Sequence, residues 1–283
     1  MRIGVIKGRA VLVDAAAEHG IDLYEMSAGR FGPDPTSIYE QWDDVVAWSE
    51  SVDPTSGFPV DPTTLLNPVP APRQIFAIGL NYAEHAAESK YDVPDFPPVF
   101  TKFLTSLGDP RSMVEIAGPK MDWEVELVAV IGKYAHRIAT SDGWEHVAGL
   151  TVGQDISERE TQFNATPPQF SLGKSYPGFS PMGPVVVSAD EFADRDDIEL
   201  SCAINGEQVQ KGRTSEMIFS VPELVSRLSH ITPLLPGDVI FTGTPAGVGI
   251  GRTPPRFLNA GDVLTSQITG IGEIEQTFVT PTV

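Results

Sequence analysis

Apolar residues lie along this chain mostly in short runs that are bounded by glycine, proline and polar residues. Short runs with such boundaries are typical of strands. The runs with strand character are residues 3–6, 10–13, 75–78, 123–131, 184–187, 200–204, 239–242, 263–269 and 274–279. Because helices do not alternate regularly with these strands, the pattern predicts an α+β fold that is mainly β, with a few helices.

Two stretches have helical signals. Residues 36–50 carry apolar side chains at helical spacing, and Ser220 with Glu223 predicts a capping box at the start of a second helix. Between two predicted strands, Asn205-Gly206 predicts a type I′ hairpin turn.

A proline-rich stretch divides the chain into two unequal parts. Six prolines occur within residues 52–72, which predicts an extended connector or surface loop. We therefore predict a small N-terminal unit with its connector over residues 1–71 and a larger domain over residues 72–283.

The charge balance restricts the partners of the chain. It has 38 acidic and 19 basic residues, so its formal net charge at pH 7 is −19. A surface this negative repels nucleic acid and anionic lipid, and neither a nucleic-acid nor a membrane partner is expected. A small anionic substrate is compatible with this charge if its pocket carries cations.

The N-terminal apolar stretch is interrupted by Arg2, Lys7, Arg9 and Asp14, unlike a secretory signal peptide. No apolar run approaches the ~20 residues that a membrane-spanning helix needs, and we expect a cytoplasmic protein. The single cysteine, Cys202, excludes an intramolecular disulfide and lies in an apolar run, so a buried, unreactive thiol is expected.

Two glycine-containing stretches resemble nucleotide-binding motifs only in part. Gly173-Lys174-Ser175 resembles the end of a P-loop, but proline stands at position 168, where that motif needs its first glycine. The stretch GVGIG at 247–251 resembles a dinucleotide fingerprint, but its spacing is wrong and Pro254-Pro255 prevents a helix from following. We reject both nucleotide-binding interpretations.

A group of carboxylates is the first candidate for chemistry. Glu124 and Glu126 lie two residues apart in the predicted strand 123–131, and therefore on one face of it. Two carboxylates in an apolar strand are costly unless a cation compensates them, and Asp155 is a candidate third ligand. Oxygen ligands alone favour Mg²⁺ or Mn²⁺, which Ca²⁺ could replace in a crystal. Two solvated glutamates at an exposed strand end are the alternative that this spacing leaves open.

His85 and Glu88 would be neighbours on a helix that covers residues 82–89. A carboxylate beside an imidazole fixes its tautomer and raises its basicity, so this pair could take a proton from water. A solvated helix face is the alternative. Lys174 lies in the largely uncharged segment 170–176, where a lysine either reaches solvent or binds an anion.

Six segments, taken in their order along the chain, resemble the fumarylacetoacetate hydrolase superfamily, and most closely its acylpyruvate hydrolase and oxaloacetate decarboxylase branch. They are GLNYAEHAAE (79–88), WEVEL (123–127), GQDISERETQ (153–162), LGKSY (172–176), NGEQVQKGRTSEMIF (205–219) and LLPGDVIFTGTPAGVG (234–249). The resemblance covers about residues 72–280. The stretch 163–170, with Pro167-Pro168, departs from the pattern of that branch.

The resemblance implies a mixed β-sandwich roll for the catalytic domain, 72–283, with a small N-terminal α/β appendage. It also implies a homodimer. Residues 79–95 are expected to act as a mobile lid, since family members often order this segment when substrate binds.

Three groups of site residues follow from the resemblance: metal ligands, catalytic residues and contacts to a 2-oxo acid. In that order they are Glu124, Glu126 and Asp155; His85, Glu88 and Lys174; and Arg159, Gln162 and Thr244. Lys102 matches a lysine that is often near the pocket, and its role stays open.

The implied chemistry is the formation of an enolate from a small 2-oxo acid that chelates the metal ion. We expect a hydrolase that cleaves a carbon–carbon bond of a 3-acylpyruvate-type 2,4-dioxo acid. His85 and Glu88 would activate the water, and Lys174 with Gln162 would stabilise the developing negative charge. The alternative is a lyase or isomerase on the same scaffold: an oxaloacetate decarboxylase, 2-oxo acid hydratase, tautomerase or 2-hydroxyhepta-2,4-diene-1,7-dioate isomerase. A non-enzymatic metal- or carboxylate-binding protein is a third hypothesis.

Overall fold

The computed structural model describes residues 1–88 and 92–281, and strands dominate its regular structure. The strands are β1 Arg2–Ile6, β2 Arg9–Val13, β3 His19–Asp22, β4 Phe58–Pro59, β5 Ile75–Ile78, β6 Val99–Thr101, β7 Leu107–Gly108, β8 Arg111–Glu115, β9 Met121–Asp122, β10 Val125–Ile131, β11 Val147–Gln154, β12 Ser157–Glu158, β13 Ser180–Val187, β14 Glu199–Ile204, β15 Glu207–Arg213, β16 Val239–Phe241, β17 Val263–Ile268 and β18 Gly272–Val279. The α-helices are α1 Leu23–Met26, α2 Trp42–Ser49, α3 Ala83–Glu88, α4 Arg159–Phe163, α5 Phe170–Gly173 and α6 Val221–Ser229. The predicted α+β, mainly β fold is confirmed.

The strands form two main sheets. The larger sheet has eleven strands in the order β4-β3-β2-β1-β13-β11-β10-β16-β5-β6, with β7 paired to β13. The smaller sheet has five strands in the order β15-β14-β17-β18-β8, and β9 pairs with β12. Since β1 runs antiparallel to β13, with Arg2 opposite Val187, the first strands of the chain continue the larger sheet. The division of the chain near residue 72 stays a prediction.

Strand β10 lies at the centre of the molecule, and both of its faces are buried. Leu127 and Ala129 belong to a core that also contains side chains of the smaller sheet and of α6. Val128 and Val130 belong to a second core, which the N-terminal helices cover. A strand that is buried on both faces has a nearly continuous apolar sequence, and β10 has this character.

Each predicted strand is present, with small differences in its bounds. Strand β10 begins at Val125, two residues after the predicted start. The turn between β14 and β15 has φ 52° at Asn205 and 82° at Gly206. Positive φ at both central residues is what a type I′ turn requires, so the predicted hairpin is confirmed.

The capping box predicted for α6 is wrong. Ser220 is the N-cap residue, but its side chain caps no helix N–H. Pro222, in the first turn, has no N–H to donate. The carboxylate of Glu223 instead accepts hydrogen bonds from Arg227, at 3.0 and 2.8 Å.

The two predictions for the N-terminal region are right only in part. Residues 36–50 form a 3-10 helix, Pro35–Gln41, followed directly by α2. The proline-rich stretch contains two short 3-10 turns and β4, which pairs with β3 at the edge of the larger sheet. It is therefore packed against the sheet and is more than an extended connector.

The predicted lid, 79–95, includes residues 89–91, which lie outside the described part of the chain, and its motion stays a prediction. Across residues 1–88 and 92–281, no helix combines the length and apolar character that crossing a membrane requires. Cys202 is a free, buried cysteine, as predicted.

Asp238 joins the turn before β16 to the start of β5. Its buried carboxylate accepts from the backbone N–H groups of Gln74 (2.9 Å) and Leu235 (2.8 Å) and from the Gln74 amide (2.7 Å). Asp238→Ala leaves three donors without this acceptor, and a buried unpaired donor costs about 1–3 kcal/mol. We expect the free energy of unfolding, measured in urea, to fall by about 3 kcal/mol.

Asp142→Ala is the control, because Asp142 is exposed and its carboxylate bonds the Ser141 hydroxyl on the surface. It should change the free energy of unfolding by less than about 0.5 kcal/mol. A loss in Asp238→Ala as small as in this control would contradict the structural role of Asp238.

Candidate active site

The three predicted metal ligands meet where β10 begins and β11 ends. Glu124 directly precedes β10, Glu126 lies within it, and Asp155 directly follows β11. The two strands are antiparallel, with Glu126 opposite Gly153, and this register brings the three carboxylates together. One oxygen from each lies within 4.8 Å of the others.

All three carboxylates are buried. Glu124 is 6% exposed, Glu126 1% and Asp155 0%. The alternative of two solvated glutamates at an exposed strand end is therefore wrong. Burial also means that each negative charge needs a partner inside the protein.

Two lysines contact the carboxylates directly. The Lys174 ammonium, just after α5, donates to Glu124 at 2.5 Å and to Asp155 at 2.6 Å. The Lys102 ammonium, just after β6, donates to Asp155 at 2.5 Å and to the backbone carbonyl of Lys174. Both lysines are buried. Lys102, whose role the sequence left open, thus ties Asp155 to the segment that carries Lys174.

Arg159, at the start of α4, holds the opposite side of the cluster. Its guanidinium donates to Asp122 at 2.8 Å, to Glu124 at 2.7 Å and to the Gln162 side chain at 2.8 Å. On the far wall, the Thr244 hydroxyl donates to a backbone carbonyl at the start of β10 at 2.9 Å.

The two glutamates differ in how their charges are compensated. Burial alone would raise the pKa of Glu124, but Lys174 and Arg159 outweigh it and hold that pKa below its usual value. For Glu126, burial and the nearby charges of Asp155 and Glu124 together raise the pKa well above its usual value. Within the described residues no cation forms an ion pair with Glu126.

The donor set fits a divalent metal ion. The buried cluster contains four carboxylates against three cations. The carboxylates are Asp122, Glu124, Glu126 and Asp155, and the cations are Lys102, Arg159 and Lys174. One carboxylate is therefore in excess, and the triad of Glu124, Glu126 and Asp155 offers oxygen ligands, which hard ions such as Mg²⁺ and Mn²⁺ prefer.

The predicted histidine–glutamate pair is formed on α3. His85 Nδ1 lies 3.4 Å from Glu88 Oε2, and the Glu88 carboxylate also accepts from the Gly247 N–H at 3.1 Å. Partial burial raises the pKa of Glu88, but these two partners outweigh it and lower that pKa, so Glu88 stays ionised near neutral pH.

One cavity of about 260 Å³ connects these groups. Eight of the nine predicted site residues line it: His85, Glu88, Glu124, Glu126, Arg159, Gln162, Lys174 and Thr244. The ninth, Asp155, lies behind Lys174, to which it is bonded. An apolar wall completes the lining, formed by Ile78, Phe100, Phe163, Phe170 and Ile250.

One contributor was missed by the sequence reasoning. Asp122 is fully buried and binds both Arg159 and the backbone N–H groups of Gly249 and Ile250. The signal was present, because the spacing of two residues that relates Glu126 to Glu124 continues backwards to Asp122. The predicted strand begins at residue 123, so the alternation within it does not reach Asp122.

Comparisons with known proteins bear on the family of this chain. The family model described as fumarylacetoacetate (FAA) hydrolase C-terminal matches residues 74–279. The human oxaloacetate tautomerase FAHD2A, mitochondrial, is 40% identical over 218 residues, which are 76% of this chain and 69% of that protein.

Two solved structures extend the similarity over the whole chain. A candidate HpcE protein from Mycobacterium smegmatis is 47% identical, with a TM-score of 0.92 and coverage of 100% of both chains. Maleylpyruvate hydrolase from Sphingobium sp. SYK-6, solved with manganese(II) and pyruvate, is 25% identical, with a TM-score of 0.82 and the same coverage. A family model matches most of this chain, and a relative is 40% identical to it. Together these two findings show that this chain belongs to the fumarylacetoacetate hydrolase family.

Proposed function

We propose that this chain is a divalent-metal-dependent tautomerase of small 2-oxo acids, with oxaloacetate as the first substrate to test. The observation that carries the proposal is that the His85–Glu88 pair and the buried glutamates line one cavity. Keto–enol interconversion needs a base at C3 and positive charge at the keto oxygen, and this cavity offers residues for both. The name of the human relative, oxaloacetate tautomerase, supports the choice of substrate.

A divalent ion held by Glu124, Glu126 and Asp155 would polarise the keto group of a 2-oxo acid and so acidify the hydrogens on C3. Hydrogen bonding of the His85 Nδ1–H to Glu88 leaves Nε2 of this imidazole as the proton acceptor. When Nε2 takes a proton from C3, the C–H electron pair becomes the C2–C3 double bond and the carbonyl π electrons move to oxygen. Protonation of that oxygen gives the enol, and return of the proton to C3 regenerates the keto form.

The charges of the buried cluster suit the carboxylate that lies beside the keto group of a 2-oxo acid. Its carboxylates outnumber its cations by one. A divalent ion would leave the cluster with one net positive charge, which a 2-oxo acid carboxylate would neutralise. This local balance explains how a chain with a net charge of −19 could still bind an anion.

Hydrolysis of a 3-acylpyruvate is a second candidate, and the apolar wall favours it. Phe100, Phe163 and Phe170 are in edge-to-face contact and provide a surface for the acyl group of a 2,4-dioxo acid. Water that loses a proton to His85 would attack C4, and the C3–C4 bond would break to give pyruvate and a carboxylic acid. One related structure is named a maleylpyruvate hydrolase.

Substitution of the proton-transfer pair tests the proposal. With Mn²⁺ or Mg²⁺ supplied, we expect His85→Ala and Glu88→Ala to slow the conversion of enol-oxaloacetate to its keto form by about 10²–10⁴-fold, the usual contribution of a general base. The decay of the enol absorbance, corrected for the uncatalysed rate, measures this step. Glu84→Ala, on the exposed side of the same helix, is the matched control. A His85→Ala variant as fast as the wild type would refute the role of His85.

Product analysis separates the two candidate reactions. Incubation with a 3-acylpyruvate, followed by proton NMR, releases equal amounts of pyruvate and a carboxylic acid only if the enzyme hydrolyses the substrate. Incubation with oxaloacetate releases CO₂ and pyruvate above the uncatalysed rate only if it decarboxylates. Tautomerisation releases none of these products. Faster hydrolysis than enol–keto conversion would make the second candidate the better one.

The metal site has its own test, which exploits the raised pKa of Glu126. Burial and the neighbouring carboxylates favour the protonated form of Glu126 when no metal is bound. Binding of Mn²⁺ must displace that proton, so we expect proton release on binding and tighter binding as the pH rises toward the pKa of Glu126. Calorimetry in buffers with different ionisation enthalpies measures both quantities.

Glu126→Gln should weaken Mn²⁺ binding by more than about 100-fold and abolish the proton release. Glu160→Gln, whose exposed carboxylate pairs with Lys120 on the surface, should bind Mn²⁺ like the wild type. Retention of tight, pH-dependent binding by Glu126→Gln would show that the metal lies elsewhere.

A further inference from the structure

The glycine-rich stretch 247–251, which resembles a nucleotide-binding motif only in part, lies against the candidate active site. Its backbone binds two carboxylates, Glu88 and Asp122, that belong to different parts of the site. The Gly247 N–H donates to both oxygens of Glu88, at 3.2 and 3.1 Å. The N–H groups of Gly249 and Ile250 donate to Asp122, at 2.6 and 2.9 Å.

Gly251 leaves the space that the Glu88 side chain fills. A Cβ atom at Gly251 would lie 2.3 Å from Cγ, 2.4 Å from Cδ and 2.7 Å from Oε1 of Glu88. These three nearest atoms all belong to one flexible side chain, so the least costly response to a methyl group is displacement of Glu88. Gly251 is therefore a position at which the placement of Glu88 can be changed while the loop backbone stays intact.

Gly249 is restricted for a different reason. A Cβ atom there would lie 2.0 Å from the carbonyl oxygen of Arg256 and 2.7 Å from Oδ1 of Asp122. The first of these atoms is backbone, which cannot move away without distorting the loop. The loop can therefore approach Asp122 this closely only because residue 249 is a glycine.

Asp122 connects the loop to the buried cluster. It is fully buried, and one of its oxygens also accepts from Arg159 Nε at 2.8 Å. The same guanidinium donates to Glu124 at 2.7 Å. The Trp123 indole N–H adds a bond to the Gly247 carbonyl at 3.2 Å. Both ends of the loop therefore lie against Glu88, and its middle is bonded to Asp122, which precedes β10.

We infer that the loop 247–251 positions Glu88, and through it His85, and that Asp122 is the positioning residue that anchors this loop. Asp122 acts on Glu88 through the loop and on Glu124 through Arg159. This inference rests on the proposed function only in assigning proton transfer to His85 and Glu88. It gives the GVGIG stretch a role without a nucleotide: its N–H groups bind protein carboxylates, and its glycines permit their close approach.

A double-substitution experiment tests whether the loop works through Glu88. In the wild-type background, Gly251→Ala should lower kcat for enol–keto conversion by about 10²-fold, because small misplacements of catalytic groups are this costly. In a Glu88→Ala background the atoms that the new methyl group would meet are absent, and the further loss should be less than about twofold. Equal losses in both backgrounds, or no loss in the wild type, would overturn the inference.

A second readout does not depend on activity. In amide hydrogen exchange followed by NMR, the Gly247 N–H should exchange faster in Gly251→Ala, and about as fast as in Glu88→Ala. Asp122→Asn should speed the exchange of Gly249 and Ile250 and lower kcat. Unchanged exchange of Gly247 in Gly251→Ala would overturn the positioning role, even if the chain proves inactive on every 2-oxo acid and the proposed function fails.

Gly108→Ala is the matched control for these variants. Gly108 lies in β7, outside the cavity lining, and a Cβ atom there would meet its nearest neighbours at 3.4 Å, an ordinary contact. Its kcat and Gly247 exchange should equal those of the wild type. Mn²⁺ binding by Gly251→Ala should stay within about twofold of the wild type, because the substitution displaces Glu88 and none of the three metal-ligand candidates. A larger loss of Mn²⁺ binding would show general damage to the site and count against the inference.

Discussion

The excess of buried carboxylate over buried cation is the constraint on which the rest of this structure depends. Four carboxylates and three cations are removed from water in one cluster. Removing an ion from water costs several kcal/mol unless well-placed partners compensate it, and Glu126 has no cationic partner within the described residues. When Glu126 is ionised, the cluster therefore carries one uncompensated negative charge. A divalent ion held by Glu124, Glu126 and Asp155 would compensate this charge.

The backbone around the cluster is fixed by buried glutamines. Gln154 accepts from the Glu124 N–H at 2.8 Å and donates to Ser266 of the smaller sheet at 2.9 Å. Gln210 belongs to β15 of the smaller sheet. It accepts from a backbone N–H of β10 at 3.0 Å and donates to Thr244 at 2.8 Å. The smaller sheet thus does more than cover an apolar face. Its polar side chains hold the start of β10, and with it the two glutamates, in a fixed position.

Local patterns predicted nine of the eighteen strands in the described residues and two pairs of site residues, whereas Arg159, Gln162 and Thr244 came from the family resemblance alone. Alternation within one strand placed Glu124 and Glu126 on one face, and helical spacing paired His85 with Glu88. Two features depend on side-chain contacts that local patterns do not predict. Lys102 bonds Asp155, and Glu223 bonds Arg227 and does not cap the helix. The homodimer, the cytoplasmic location and the lid stay predictions, because no single-chain geometry bears on them.

Tautomerisation and hydrolysis would differ mainly in the group that lies next to the His85 imidazole, which is either the substrate C3 or a water molecule. Proton transfer to and from C3 needs the substrate carbon next to the imidazole and gains from the exclusion of water, which strengthens the electrostatic interactions in the cavity. Hydrolysis needs a water molecule between the imidazole and C4. The wall of Phe100, Phe163 and Phe170 bears on both, because its apolar surface binds water poorly and also offers space for an acyl group. Phe163 and Phe170 are the first and last residues of the stretch 163–170, for which the sequence analysis gives a departure from the pattern of the acylpyruvate hydrolase and oxaloacetate decarboxylase branch. Under the proposed function, the shape of this wall would decide between the two reactions, since the metal-ligand candidates and the proton-transfer pair would serve either one.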